Sequence, residues 1–308
     1  MKGIIRVYIP AVTGLLLGLA ACGGKDVPED EVQAIGTTPC KGQTAFIAKT
    51  GLDNRVAAMS TSEVRIKSLA VIEVGDAPTH RTWVHPSWAQ YGTMGPLAVD
   101  EQGNVYVAAI PMIDVINRSG PQQNTIYKVE SSTGEMKPYL TLPGADSSSD
   151  ENPYGILGLY YDCYAQKLFV SSVAGSTRRQ ENGRLFCIDL SSGKVVDELD
   201  QADAIGLASS GASGKYCLYF GSARSPAIYA VSLDKEGHFK GRPAPAFSLQ
   251  NLGPRGDDKA RRIRVDKNGD LLVSGIEFNY NLTAPTEKQE STYRFRYSDE
   301  AGAWQVQP

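Results

Sequence analysis

The sequence predicts an all-β protein, a β-propeller of five or six four-stranded blades, and three observations carry that expectation. Past residue 38 the chain shows short alternating apolar and polar runs punctuated by Gly, Asp, Asn and Ser, with no long stretch of helical periodicity. One hairpin of apolar strand, tight turn and apolar strand recurs four times. Each copy is followed by a second hairpin whose first strand carries an aromatic, at Tyr127, Phe186, Tyr229 and Tyr293, and which closes on Gly134, Gly193, Gly237 or Gly302. Such a unit cannot bury both faces alone, so the copies must stack around a common axis. A two-sheet sandwich does not call for the same hairpin pair four times with aromatics in step.

The first element in chain order is Lys2 and Arg6 ahead of an apolar run from Ala11 to Ala21 that ends Leu19-Ala20-Ala21-Cys22-Gly23-Gly24. A basic start, a short hydrophobic middle and small residues before the break form the secretory pattern, and the run is too short to span a bilayer. The stretch resembles a bacterial lipoprotein signal. That resemblance implies a lipidated Cys22 as first mature residue and a membrane partner through the lipid. Because glycines rather than an aspartate follow Cys22, it implies the outer membrane, facing the periplasm or the cell surface. Residues 1–21 are then the signal, 22–38 a polar flexible tether, and 39–308 a single domain.

The chain of 308 residues has a formal net charge of -3, and loss of Lys2 and Arg6 with the signal leaves about -5, which argues against a nucleic-acid partner. Besides Cys22 there are Cys40, Cys163, Cys187 and Cys217, for which an oxidising compartment allows three pairings. Cys187 and Cys217 each fall inside an apolar strand pattern and read as buried thiols. No Cys-x-x-Cys spacing points to zinc.

The blades follow in order. Strands at 44–48, 55–60, 64–67 and 69–74 supply the first blade, alone or with strands shared with another, which leaves five or six blades open; the clear repeats begin at Gly95-Pro96-Leu97-Ala98-Val99-Asp100 with Val105 to Ala109. Their counterparts are Ile156 to Tyr161 with Lys167 to Ser172, Ala204 to Ser209 with Tyr216 to Ser222, and Ile263 to Asp266 with Leu271 to Gly275. The Asp-x-x-Gly turns at Asp100 and Asp266 are too short for calcium loops and suit tight hairpins.

The segment Asn152-Pro153-Tyr154-Gly155-Ile156 to Asp162, with Lys167 to Ser172 and Gly183 to Val196, resembles a blade of the NHL, SMP-30/gluconolactonase and strictosidine-synthase-like propellers. Residues 205–233 are also similar to the yellow/major royal jelly branch. The resemblance covers residues 93–308 and implies six blades. It also implies a divalent cation (Ca, Zn or Mn) held on the axis by a Glu, an Asn and an Asp, serving a lactonase-type hydrolase or a lyase. The Glu position before Gly95-Pro96 is occupied by Met94, and the Asn of the family's Pro-Asn-Gly is replaced in Pro153-Tyr154-Gly155, with Asn152 adjacent; Asp203 matches the Asp.

Propeller topology places ligands on the face built by loops entering the innermost strands and loops between second and third strands. The expected ligand-binding residues there are Asn152, Asp203, Arg178, Arg261, Asn279 and Tyr280, with Asp203 and Asn152 also the metal candidates, His85 and Glu277 the candidate catalytic residues, and Glu277 a further candidate beside the cation. The pairs Arg178-Arg179 and Arg261-Arg262 suit an anionic ligand. Two functions remain open at this level: an envelope-anchored propeller that binds a small molecule or protein on this face, and an SMP-30-like metal-dependent periplasmic hydrolase or lyase. No Gly-x-Ser-x-Gly elbow is present.

Overall fold

The computed structural model describes residues 27–38, 40, 42–62, 68–75, 81–111, 121–144, 152–280 and 289–307. They build a β-propeller of five blades, each a meander in which consecutive strands pair antiparallel. Blade one has three strands, β1 (Ala57–Ser60), β2 (Ala70–Glu73) and β3 (Thr82–Trp83). Blade two is β4 (Met94–Val99), β5 (Val105–Ala109), β6 (Thr125–Val129) and β7 (Met136–Thr141); blade three is β8 (Ile156–Asp162), β9 (Lys167–Ser172), β10 (Arg184–Asp189) and β11 (Lys194–Asp200). Blade four is β12 (Ala204–Ser210), β13 (Cys217–Ser222), β14 (Ala227–Leu233) and β15 (Phe239–Ser248); blade five is β16 (Lys259–Val265), β17 (Leu271–Ile276), β18 (Ser291–Ser298) and β19 (Ala303–Gln307). No helix among the described residues is long and apolar enough to cross a membrane.

Local chemistry explains the hairpins. Asp100 Oδ1 accepts the Asn104 N–H at 2.8 Å, and Gly103 supplies the φ of +79° that the turn needs. Asp266 repeats the device with the Asp270 N–H at 3.1 Å and Gly269 at φ +82°. These carboxylates close turns.

Packing between blades follows the repeated aromatic. Tyr127 lies in the core between blades one and two, Phe186 in that between two and three, Tyr229 against that between three and four, and Tyr293 in that between four and five. The innermost strands β4, β8, β12 and β16 are neighbours in that order. Their approach is close: a Cβ on Gly158 would lie 2.2 Å from Ile205 O, and one on Gly206 2.7 Å from Ala260 O.

The circle is less uniform than the sequence led one to expect. Four apolar cores join successive blades, a fifth around Tyr154, Ile205 and Phe278 joins blades three, four and five, and among the described residues none joins blade five to blade one. The strand expected at 44–48 is a 3₁₀ turn, Ala45–Lys49, and the one expected at 64–67 lies outside the described residues. The cysteines resolve into a Cys40–Cys163 disulfide and buried free thiols at Cys187 and Cys217.

The tether reading of 22–38 also needs correction. Residues 22–26 and the signal lie outside the described residues, but a short helix α1 (Glu29–Val32) begins an arm that is packed. Val32 and Ile35 are buried, the Gly211 N–H donates to Ile35 O, and Tyr164 OH donates to Glu31 Oε2 at 2.7 Å. The arm continues through the disulfide to Phe46, whose N–H donates to Ser131 O at 2.7 Å. It therefore crosses the end of the propeller that carries the hairpins after β4, β8 and β12. Two apolar anchors in a polar segment dock it together with these hydrogen bonds and the disulfide, each anchor filling a hydrophobic gap.

Candidate functional site

The innermost strands enclose a central cavity of about 1480 Å³. Its walls are apolar side chains such as Leu97, Leu157, Leu159 and Leu207, interrupted by Arg261, Arg262 and Arg264 of β16. Glu31, Ile35, Gly36 and Cys40 of the arm also line it, so the arm is its floor. At the opposite end, Tyr154 before β8 meets Phe278 after β17 with ring centroids 5.5 Å apart. These rings bridge blades three and five over blade four. Both line the cavity and are nearly buried. Burial pushes the Tyr154 hydroxyl pKa up, against the opposing pull of the Arg261 charge.

Asp203, expected as a metal ligand, is instead the centre of a closed hydrogen-bond network. Its buried carboxylate accepts from Ser176 Oγ and, at 2.9 Å, the Gly183 N–H on Oδ1, and from Tyr280 OH and, at 2.8 Å, Arg224 Nη1 on Oδ2. Arg224 is fixed in turn by Thr177 O and Arg178 O, both at 2.9 Å. Burial, then the Asp203 hydrogen bond, drives the Tyr280 pKa far above its ordinary value, so this phenol is a donor at neutral pH. Four donors, one of them a guanidinium, occupy the oxygens a cation would need. Asn152 is likewise spent on structure: Nδ2 donates to Val173 O at 2.7 Å and Oδ1 accepts the Tyr154 N–H at 3.0 Å. Met94, at the family's Glu position, is fully buried in the core between blades one and two. This donor set does not fit an axial divalent cation.

Of the eight residues expected at the site, only Arg261 lines the cavity. It pairs with Glu290 at 2.9 Å. Asp203, Tyr280 and the Arg178 carbonyl do come together, through Arg224. Asn279 is partly buried beside them in sequence, and Glu277 is exposed. His85 is elsewhere, packed against Trp83 and Trp88 with Nδ1 2.8 Å from Ser87 Oγ, beside the β6–β7 turn at Gly134. A loop that enters a blade need not stay at the mouth; this one is drawn sideways by its tryptophans. A further acidic group, Asp234, Glu236 and His238, closes the β14–β15 turn: Asp234 Oδ1 accepts the N–H of Glu236 at 3.0 Å and of His238 at 2.9 Å.

Residues that sequence reasoning passed over are Ser176, Tyr154, Phe278 and Arg264. Arg264 had a readable signal. In β16 and β18 arginine recurs at every second position, Arg262 and Arg264, then Arg294 and Arg296, the pattern of a sheet with one solvated face.

No protein-family model matches the chain, and no curated protein matches its sequence. Solved structures with a similar course include a glucose dehydrogenase, 12% identical with a TM-score of 0.42 over 68% of each chain. The calcium-binding protein regucalcin from Agrobacterium tumefaciens is 11% identical, TM-score 0.46, over 78% of this chain and 69% of that one. A luciferin-regenerating enzyme is 10% identical, TM-score 0.42, over 74% and 70%. Likeness at this level assigns no activity, and the propeller is read from the sheets themselves.

Proposed function

We propose that this protein is a binding propeller whose central cavity holds a small molecule between the aromatic pair at its mouth and the arm at its floor. The observation that carries the reading is the cavity itself, at 1480 Å³ wide enough for a ligand and stopped at one end by a disulfide-pinned segment. Apolar walls supply desolvation energy, and backbone converging at Gly158 and Gly206 keeps the walls rigid, which lowers the ordering cost of binding. The acid that a hydrolase would use is committed to the Arg224 and Tyr280 network.

The test is titration with the uncharged apolar fluorophore phenylnaphthylamine. Saturable binding weakened about tenfold by Leu97→Trp with Leu157→Trp, at an unchanged melting temperature, is expected. No binding by the wild type, or binding indifferent to both substitutions, would overturn the reading.

The propeller is further proposed to hang from a lipid on Cys22 in the cell envelope, a reading supported by the signal-like N-terminus and by a disulfide suited to an oxidising compartment. The four residues between Cys22 and Val27 reach at most about 18 Å. The floor would then face the membrane and the mouth would point away. Release of Cys22→Ala into the soluble fraction checks the anchor; continued membrane retention of that variant would refute it.

A further inference from the structure

We infer that the cavity selects an amphipathic anion, an apolar body bearing a carboxylate, sulfonate or phosphate group, which Arg262 and Arg264 hold; this rests on the cavity being a ligand site at all. The argument begins with blade five. Ladder partners share a face, and Arg264 is paired to Leu272 and Leu272 to Arg294, while Arg262 is paired to Ser274 and Ser274 to Thr292. The other face, with Ile263, Val273 and Tyr293, is buried against blade four. Among the described residues, blade five is thus packed on one side only.

The rows in the other blades make the contrast. The residues that stand where Arg264 stands, one past the equivalent Leu or Ile, are Ala98, Tyr160 and Ala208, and each is packed into an apolar core with the following blade. In blade five, with no following core among the described residues, the position carries a charge that opens onto the cavity.

The two arginines are poised for a ligand. Arg261 is engaged by Glu290, Arg294 lies 3.3 Å from Asp266, and Arg296 is held by Asp270 at 2.8 Å. Arg262 and Arg264 have no acidic partner among the described residues, and both are exposed. They lie two residues apart on one strand face, about 7 Å, so their charges repel unless an anion sits between them. Guanidinium forks match oxyanions of this class bidentately. The acids in the lining do not compete: they come from the arm and from blades two and three, and Asp162 already accepts from the N–H groups of Tyr164 and Ala165 and from Tyr216 OH.

Two fluorophores of similar shape separate this inference from the one beneath it. Anilinonaphthalenesulfonate carries the anion and phenylnaphthylamine does not. The expectation is that the sulfonate binds the full folded domain more tightly, and that Arg262→Gln with Arg264→Gln weakens it about tenfold while changing the neutral probe less than about twofold. Thermal unfolding of the double variant should match the wild type, since both side chains are solvent-facing. If neither probe binds, the ligand-binding reading falls. If the neutral probe binds but the sulfonate is no tighter, or the double variant leaves it intact, the cavity stands and the anion selectivity is refuted.

Discussion

Replacing Asp203 by alanine removes the acceptor on which Ser176, Gly183, Tyr280 and Arg224 converge. The Asp203 side chain is wholly buried and that of Arg224 is 25% exposed, so the orphaned guanidinium can recover part of its hydration. Breaking a buried ion pair costs about 3–5 kcal/mol, and the partial exposure of Arg224 puts the loss near the lower end of that range. At roughly 2 °C per kcal/mol for a chain of this size, the melting temperature should fall by about 6 °C. Asp203→Asn keeps an acceptor for Ser176 and Gly183 but turns an amide donor toward Arg224 and Tyr280, and should lose about 1–2 kcal/mol. Urea unfolding followed by circular dichroism, with and without calcium or chelator, reads both. The reasoning fails if the alanine variant loses less than about 1 kcal/mol. It also fails if chelation lowers the wild-type midpoint and the Asp203 variants no longer respond, for the carboxylate would then be serving a cation.

Three other outcomes follow from the same contacts. The Cys40–Cys163 disulfide spans 123 residues and pins the floor, so Cys40→Ser should cost about 2–4 kcal/mol and raise proteolytic cutting within residues 27–40, as followed by mass spectrometry; an unchanged midpoint would mean the arm docks without it. Burial alone would raise the Asp258 pKa, but hydrogen bonds from Arg255 and Tyr293 hold it below the ordinary carboxylate value, and Arg296 foremost does the same for Asp270. A depressed folded-state pKa gives stability that is full above the unfolded value near about 3.9 and is lost as pH falls through the folded value. The deficit of Asp258→Asn in urea should therefore be large at about pH 7 and shrink by about pH 3, and a constant deficit would exclude the ion pair as its source. Burial pushes the Cys187 thiol up to about 12 and raises Cys217, so neither should react with a disulfide reagent until the protein unfolds; rapid labelling of the native state would contradict their packing.

How much of this was legible in the chain varies with the range of the interaction. The hairpins at 95–109, 156–172, 204–222 and 263–275 were readable because alternation and Asp-Gly turn chemistry involve near neighbours. The aromatics at 127, 186, 229 and 293 were readable as packing because each occupies the same place in its blade. Asp203 was found, but its role was not. Its partners lie 20 to 77 residues away, in three blades, and nothing local distinguishes a carboxylate that meets a metal from one that meets an arginine and a tyrosine. His85 misled for a related reason, since Trp83 and Trp88 decide where its loop lies.

By itself the sequence determined the fold class and the phase of blades two to five, and the alternating arginines of β16 and β18 carried a sign of the last blade's solvated face that the sequence reading did not use. Only the tertiary structure decided which cysteines pair, that residues 31–38 seal the floor, and that the cationic part of the cavity wall lies on blade five. Strand faces and turns are set by forces acting over a few residues, whereas these outcomes depend on how five wedges lean together and on which distant groups that angle brings within hydrogen-bonding reach.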